Sequence, residues 1–145
     1  MWIIKILKGR HLSRHGQIKQ RKRTRRIRKV SGKSKKDFQI YKTSALLLAH
    51  ERLAHFNTHY NFKLGDIRIK NHVSRWGSCS SKGNINFNYR IALLPPHLAD
   101  YIIVHELCHL GEFNHSIKFW NLVGQTLPDY ESLRAELKRK GMSLY

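Results

Sequence analysis

Apolar residues recur at roughly helical intervals from residue 38 to residue 60, in a segment of good helix formers. Residues three and four positions apart share one face of an α-helix, so this spacing predicts a long amphipathic helix from about Asp37. We expect one face of this helix to be buried and the other to be solvated.

Two later segments alternate strictly between apolar and polar residues. They are residues 66–70 and residues 84–90, and each predicts a half-buried β-strand. Residues 80–84, Ser-Ser-Lys-Gly-Asn, have the composition of a turn. The strands that flank this turn should therefore form a hairpin, which residues 75–78 enter.

The rest of the pattern is helical. A proline pair predicts a helix that begins at about His97 and runs to about Leu110, with Asp100 complementing its N-terminal dipole. Ser116 and Asp129 are residue types that cap helices, and they predict two further helices. Strands followed by helices predict an α+β fold, with a small antiparallel or mixed sheet packed against the helix from His97.

Basic residues are concentrated at the N-terminus. Residues 1–36 hold 15 of the 28 lysines and arginines and no acidic residue. Mutual repulsion and low apolar content predict an extended or mobile basic arm over residues 1–36, ahead of one domain over residues 37–145. Nucleic acid is a natural partner of such an arm, although a merely solvated tail is an equally good interpretation. The candidate nucleic-acid-binding residues are Arg21, Lys22, Arg23, Arg25, Arg26, Arg28 and Lys29.

Hydropathy and cysteine usage bear on location. The chain carries no apolar run long enough to span a bilayer, and the stretch from Trp2 to Leu7 is too short for a signal peptide. Two cysteines, Cys79 and Cys108, make no disulfide framework, and we expect both to be reduced. These features predict a cytoplasmic protein.

The segment His105-Glu106-Leu107-Cys108-His109 carries the strongest chemical signal. Positions i and i+4 lie on one face of a helix, so both imidazoles can bind one tetrahedral ion while Glu106 stands beside its open position. His115 follows as a third ligand, because Gly111 and Asn114 tolerate positive φ and let the chain turn back. The spacing predicts one catalytic zinc ion per chain, bound by His105, His109 and His115.

Two alternatives compete with this interpretation. A buried helix can carry histidines that are satisfied by hydrogen bonds, but the apolar residues around His105 make ionisable groups costly there without a partner such as a metal. Cys79 is a weaker candidate for a further ligand, since three histidines already fill the protein's share of a catalytic zinc site.

Four segments resemble the YgjP-like metallopeptidase family. They are SRWGSCS at residues 74–80, NINFN at 84–88, VHELCH at 104–109, and NHS with FW within 114–120. The resemblance extends from about Tyr41 to Gly141, and the family is similar to the SprT-like and WLM zincin proteases. It implies a zincin-like fold, a zinc ion and peptidase activity.

By position, the resemblance places His105, His109 and His115 at the metal ligands and Glu106 at the catalytic glutamate. It also implies a departure, because family members usually carry a larger β-rich segment where this chain has only a basic arm. We expect Glu106 to take a proton from a zinc-activated water and to pass it to the leaving amine.

Residues near the predicted hairpin are candidates for binding substrate. They are Arg75, Trp76, Asn86 and Asn88, because zincins commonly run an edge strand beside the substrate. A role within the hairpin is the more ordinary interpretation of the same residues. The sequence identifies no acceptor for the outward ring N–H groups of the histidines.

Three functions from different classes fit the sequence. The first, which the motifs favour, is a zinc metallopeptidase that acts on proteins or peptides. The second is a metal-dependent hydrolase of nucleotides or other phosphoanhydrides, since zinc-activated water is not restricted to amides. The third is a nucleic-acid-binding protein with an idle or structural zinc site, which Glu106 disfavours because a structural site needs no general base.

Overall fold

The computed structural model describes residues 15–140, with side chains from residue 35 onward. The chain divides into two units, residues 1–32 and residues 33–145. In the first unit the described backbone is helical. The second unit contains the sheet, the C-terminal helices and the hydrophobic core.

The first helix, α1, spans His15–Tyr60 and begins well before the predicted start at Asp37. The backbone of residues 15–36, which the charge pattern predicts to be extended or mobile, is therefore helical. The division of the chain at residue 36 into an arm and a domain stays a prediction. The candidate nucleic-acid-binding side chains between Arg21 and Lys29 lie outside the described side chains.

The C-terminal part of α1 buries one face, as its amphipathic pattern predicts. Ala45, Ala49, Leu53 and Phe56 are buried in the core. Their spacing of three or four residues places them on one side of the helix. This part of α1 forms one wall of the core.

Three short strands of the described part of the chain form one mixed sheet in the order β1–β3–β2. Strand β1 is Ile67–Lys70, β2 is Gly77–Cys79 and β3 is Ile85–Asn88. The predicted hairpin is β2 with β3, which pair antiparallel, whereas β1 pairs parallel with β3. Gly83 in the connecting turn has a φ of 82°, which glycine adopts without strain. Because β3 is the central strand, β2 lies at one edge of the sheet.

Strand β3 ends at Asn88, two residues before the predicted end. The Asn88 side-chain oxygen accepts a hydrogen bond from the backbone N–H of Arg90 at 3.1 Å. This side chain caps a 3₁₀ helix over Tyr89–Leu93, so the chain leaves the sheet there.

Within residues 96–140, three helices follow in the predicted order. Helix α2 spans Pro96–Cys108, α3 spans Ile117–Thr126 and α4 spans Tyr130–Arg139. Ser116 and Asp129 occupy the predicted N-cap positions, but neither side chain makes the expected capping bond. The backbone N–H of Ser116 instead donates to the side-chain oxygen of Asn114 at 3.0 Å.

Helix α2 lies at the centre of the core. It is apolar nearly all round, and ten of its thirteen residues are buried. It packs against β2, the 3₁₀ helix, α3 and α4, so it is buried beyond its exposed first turn. The arrangement confirms the predicted α+β class, with a small mixed sheet packed on the helix that carries the histidine motif.

Among residues 15–140, no helix combines the length and the apolar character that crossing a bilayer requires.

Candidate metal centre

Helix α2 carries His105 and Glu106 in its last turn and ends with His109 at its C-cap. His105 is fully buried and Glu106 is only 1% exposed. Ionisable groups at such depth are costly unless a polar partner or an ion compensates for lost hydration. Their burial therefore points to a specific use for these two side chains.

The three predicted histidines lie together. The Nε2 atoms of His105 and His115 are 3.1 Å apart. One candidate ligand atom from each of His105, His109 and His115 lies within 4.8 Å of the other two. In a tetrahedral zinc site with Zn–N bonds of about 2.0–2.1 Å, ligand nitrogens are about 3.3 Å apart. The donor set fits an ion of this kind.

His109 has the hydrogen-bond acceptor that the sequence did not identify. Its Nδ1 lies 3.1 Å from the backbone carbonyl oxygen of Glu112. Because a carbonyl only accepts, this contact places the proton on Nδ1 and leaves the lone pair on Nε2. Such a contact orients a metal-binding imidazole and selects its tautomer.

Burial keeps the three imidazoles neutral. It lowers the pKa of His105 to about 2, with further contributions from the nearby His109, His115 and Arg134. Burial also lowers the pKa of His109 and of His115. A histidine binds metal only in its neutral form, so the site favours the binding state.

The turn that brings His115 back to the other two histidines differs from the predicted turn in its backbone conformation. Neither Gly111 nor Asn114 has a positive φ; among the described residues only Asn61 and Gly83 do. Gly111 lies instead at a close approach of side chains, because a Cβ atom there would lie 2.8 Å from Phe62 Cζ and 3.0 Å from Leu122 Cδ1. The turn is thus held by packing rather than by a left-handed residue.

Two aromatic residues of α3 surround the histidines. The buried ring of Phe119 stacks on His109, with centroids 4.5 Å apart and planes 29° apart. Trp120 stacks on His115 at 5.8 Å and 30°. These contacts restrict the two imidazoles to few orientations.

Glu106 packs directly against the backbone of β2. A Cβ atom on Gly77 would lie 2.5 Å from Glu106 Oε1 and 2.7 Å from its Cγ and Cδ. Buried Oε1 has no hydrogen-bond partner among the described residues. Burial raises the pKa of Glu106 to about 8, and the charge of Arg75 opposes this shift. A cation bound by the histidines would favour the ionised carboxylate.

The four candidate substrate-binding residues have different environments. Asn88 is fully buried and its amide donates to the backbone oxygens of His72 and Arg75, so it holds the loop between β1 and β2. Asn86 contacts Ser78 across the sheet at 3.4 Å, on the face opposite to Gly77. Trp76 is a core residue.

Arg75 alone among these four is both exposed and close enough to Glu106 to affect its pKa. Of the four candidate substrate-binding residues, Arg75 is therefore the one with an exposed side chain near Glu106. Cys79, the weaker candidate ligand, is not part of the histidine cluster.

Arg134 of α4 is a neighbour of the centre that the sequence did not indicate. Its guanidinium carbon lies 4.8 Å from the centre of the Trp120 ring. Burial is the largest cause of the lowered pKa values of His105 and His115, and the neighbouring imidazoles come next. The positive charge of Arg134 lowers both pKa values further. No local pattern in the last helix could have revealed this position, because it depends on how α4 packs.

Two solved structures have this fold. The metallopeptidase zymogen of Pyrococcus abyssi abylysin is similar with 23% identity and a TM-score of 0.58, over 63% of this chain and 93% of that chain. The metallopeptidase zymogen of Methanocaldococcus jannaschii jannalysin is similar with 23% identity and a TM-score of 0.56, over 63% and 95%. They confirm the predicted zincin-like fold. No curated protein matches the chain.

The family model for the YgjP-like metallopeptidase domain matches residues 2–140. The match starts well before Tyr41 and includes the residues of the basic arm. The predictions of the family and of a metallopeptidase are confirmed. The chain belongs to the YgjP-like metallopeptidase family.

Proposed function

We propose that this protein is a zinc peptidase in which His105, His109 and His115 bind one zinc ion and Glu106 is the general base. The observation that carries the proposal is the convergence of three imidazoles beside a buried carboxylate whose Oε1 has no hydrogen-bond partner among the described residues. A catalytic zinc site has three protein ligands and one open position, and the three histidines supply this number of ligands.

Zinc is favoured over calcium and magnesium by the donor atoms. All three are imidazole nitrogens, which suit zinc, whereas calcium and magnesium prefer oxygen ligands. When bound, zinc acts as a Lewis acid and makes water a nucleophile at neutral pH.

Glu106 moves the proton. Its carboxylate, held against Gly77, takes a proton from the attacking water and delivers it to the leaving amine as the peptide bond breaks. A buried carboxyl group holds a proton more readily than an exposed one, so it suits both halves of this transfer. No side-chain nucleophile is required.

A peptide substrate has a place to bind along β2. The backbone groups of Trp76 and Ser80 bond to β3, and Ser78 faces Asn86 across the pair. Backbone direction alternates along an antiparallel pair, so the N–H and C=O of Gly77 and Cys79 point to the edge of the sheet, where no further strand lies among the described residues. An extended peptide added at this edge would run beside Glu106.

The test is a single substitution at the base. Glu106→Gln should bind as much zinc as the wild type, measured by elemental analysis, and should cleave casein about 100-fold or more slowly, because the amide cannot accept the proton. Glu51→Gln, at an exposed position of α1, is the matched control and should behave as the wild type. Unimpaired cleavage by Glu106→Gln would rule out this base.

The same assay decides between the two catalytic hypotheses. Nucleoside triphosphates are offered to the zinc-loaded protein in place of casein. Peptide cleavage without nucleotide hydrolysis supports the peptidase, and the reverse result supports the phosphoanhydride hydrolase. Nucleic-acid binding by the arm and a cytoplasmic location stay predictions from the sequence.

A further inference from the structure

Helix α1 ends in a turn that fixes the backbone of Phe62. Asn61 directly follows the helix and has a φ of 53°, a left-handed conformation that asparagine tolerates. The side chain of Asn57 bonds to both backbone groups of Phe62. Its oxygen accepts from the Phe62 N–H at 2.8 Å, and its amide donates to the Phe62 carbonyl at 2.9 Å. The last turn of α1 therefore sets the position of Phe62.

The ring of Phe62 is held by Tyr60. The two rings stack with centroids 5.4 Å apart and planes 9° apart. The Tyr60 hydroxyl donates to the backbone carbonyl of Leu122 in α3 at 2.8 Å, so it accepts from the Thr126 hydroxyl, which also lies at 2.8 Å. Stacking and hydrogen bonding restrict the positions open to both rings. The stacked pair thus joins the end of α1 to α3.

The ring of Phe62 meets the chain again at Gly111, in the turn that follows α2. A Cβ atom on Gly111 would lie 2.8 Å from Phe62 Cζ and 3.0 Å from Leu122 Cδ1. The N–H groups of Gly111 and Glu112 both donate to the carbonyl of Cys108 at 3.0 Å. Hydrogen bonds to the end of α2 and contact with these two side chains together fix the backbone at Gly111.

The residue after Gly111 makes the contact that orients a candidate metal ligand. The Glu112 carbonyl accepts from Nδ1 of His109 at 3.1 Å. A neutral imidazole carries one proton, so its two tautomers leave different ring nitrogens free to bind a metal. The position of the Glu112 carbonyl therefore decides which tautomer His109 adopts.

We infer that Phe62 is a positioning residue for His109, which it orients through the Gly111–Glu112 backbone. The inference rests on the proposed zinc site and deepens it, because it adds a residue that is not itself a ligand. Without the ring, the Glu112 carbonyl can move away from Nδ1. The imidazole can then carry its proton on Nε2, and that nitrogen no longer binds a metal.

The metal-free protein tests this inference directly. NMR of the ring nitrogens distinguishes a protonated from an unprotonated nitrogen, and the His109 signals are those that disappear in His109→Ala. The wild type should carry the proton on Nδ1, whereas Phe62→Leu should show a mixture of both tautomers.

Phe56→Leu is the matched control. It makes the same change at a buried aromatic residue of α1, and none of the atoms that a Cβ on Gly111 would meet first belongs to Phe56. This variant should unfold at a lower urea concentration than the wild type because it loses core contacts. It should keep the wild-type tautomer of His109.

Zinc affinity, measured by competition with a chelator, gives a second readout. Loss of the partner of a ligating histidine costs roughly 10–100-fold in metal affinity, and Phe62 acts one step further away, so Phe62→Leu should cost about tenfold. Gly111→Ala should also weaken binding, because its methyl group would meet the ring. The double variant should bind zinc more tightly than either single variant, since leucine lacks the Cε and Cζ atoms that this methyl group would meet.

The outcomes separate this inference from the zinc proposal. A wild-type tautomer of His109 in Phe62→Leu, or independent losses of affinity in the double variant, would overturn the inference even if zinc binds. Equal losses of affinity in Phe62→Leu and Phe56→Leu would overturn it too, since general destabilisation would then explain both. A wild type that binds no zinc, with the expected change of tautomer in Phe62→Leu, would overturn the zinc proposal and leave the positioning role of Phe62 standing.

Discussion

Gly77 and Glu106 lie in contact although they are far apart in the sequence. The absence of a side chain at Gly77 lets the carboxylate lie against the β2 backbone. The contact restricts where the buried carboxylate can lie, and a general base must be within hydrogen-bond reach of the proton that it accepts. The glycine of the SRWGSCS segment thus acts as a positioning residue for the proposed base.

Gly77→Ala should therefore impair catalysis without loss of metal. The added methyl group would displace the Glu106 carboxylate, and misplacement by about 1 Å costs on the order of 100-fold in rate. Peptide cleavage and zinc content, measured on the same preparation, check this prediction. A variant with both near-normal turnover and full zinc would show that Gly77 does not position Glu106.

Gly124 of α3 provides the matched control. A Cβ atom there would lie 3.5 Å from Tyr130 Cε1, which is an ordinary contact. Alanine is favoured over glycine inside a helix by roughly 0.5–1 kcal/mol. Gly124→Ala should accordingly keep its activity and unfold at a slightly higher denaturant concentration than the wild type.

At the scale of elements, α2 is joined to α1 by one bidentate ion pair. Arg52 Nε and Nη2 donate to the two carboxylate oxygens of Asp100, at 2.6 and 2.8 Å. Both side chains are partly buried, with 25% and 19% exposed. Asp100 was predicted to complement the N-terminal dipole of its helix, but its direct partner lies on α1. The pair helps to align α2 and so the histidines at its end.

A double-mutant cycle measures what this pair contributes. Arg52→Met and Asp100→Asn, alone and combined, should give a coupling free energy of about 1 kcal/mol in urea unfolding, since the geometry is bidentate and partly shielded. The Arg68–Asp66 pair is the control, because its side chains are 60% and 65% exposed. Equal coupling free energies in the two cycles would mean that partial burial does not strengthen the Arg52–Asp100 pair.

At the scale of the whole molecule, the second unit brings the proposed site together from several elements. Helix α2 supplies two of the four central residues, its C-cap supplies His109, and the loop before α3 supplies His115. An ion bound by all three histidines links these segments in the folded state only. Binding should therefore stabilise the fold.

Zinc removal should lower the melting temperature. At a free zinc concentration about 1,000 times the dissociation constant, binding contributes about 4 kcal/mol, which corresponds to a shift of roughly 10 °C for a chain of this size. Calorimetry with zinc and with chelator gives the shift. In His109→Ala the zinc-dependent difference in melting temperature should be largely lost. An equally large shift in that variant would mean that zinc stabilises the protein by binding at another place.

Local patterns in the sequence were enough for much of the protein. The i, i+4 histidines with the adjacent glutamate predicted a metal-binding helix, because helical geometry alone brings such residues to one face. Alternating apolar and polar residues predicted the strands, the residue types around Gly83 predicted a turn, and the proline pair predicted a helix start. Each of these signals depends only on residues that are close together in the sequence. The motifs also indicated the family.

Contacts between distant segments were decided only by the tertiary structure. The parallel pairing of β1 with β3, the space at Gly77 for Glu106, the partner of Asp100 and the position of Arg134 all depend on packing around α2. Such contacts have no period along the chain, since each depends on side chains that meet only after the helices and the sheet have closed on one core. Local sequence therefore determined which residues can do the chemistry, and packing determined which neighbours position them and give the site its charge.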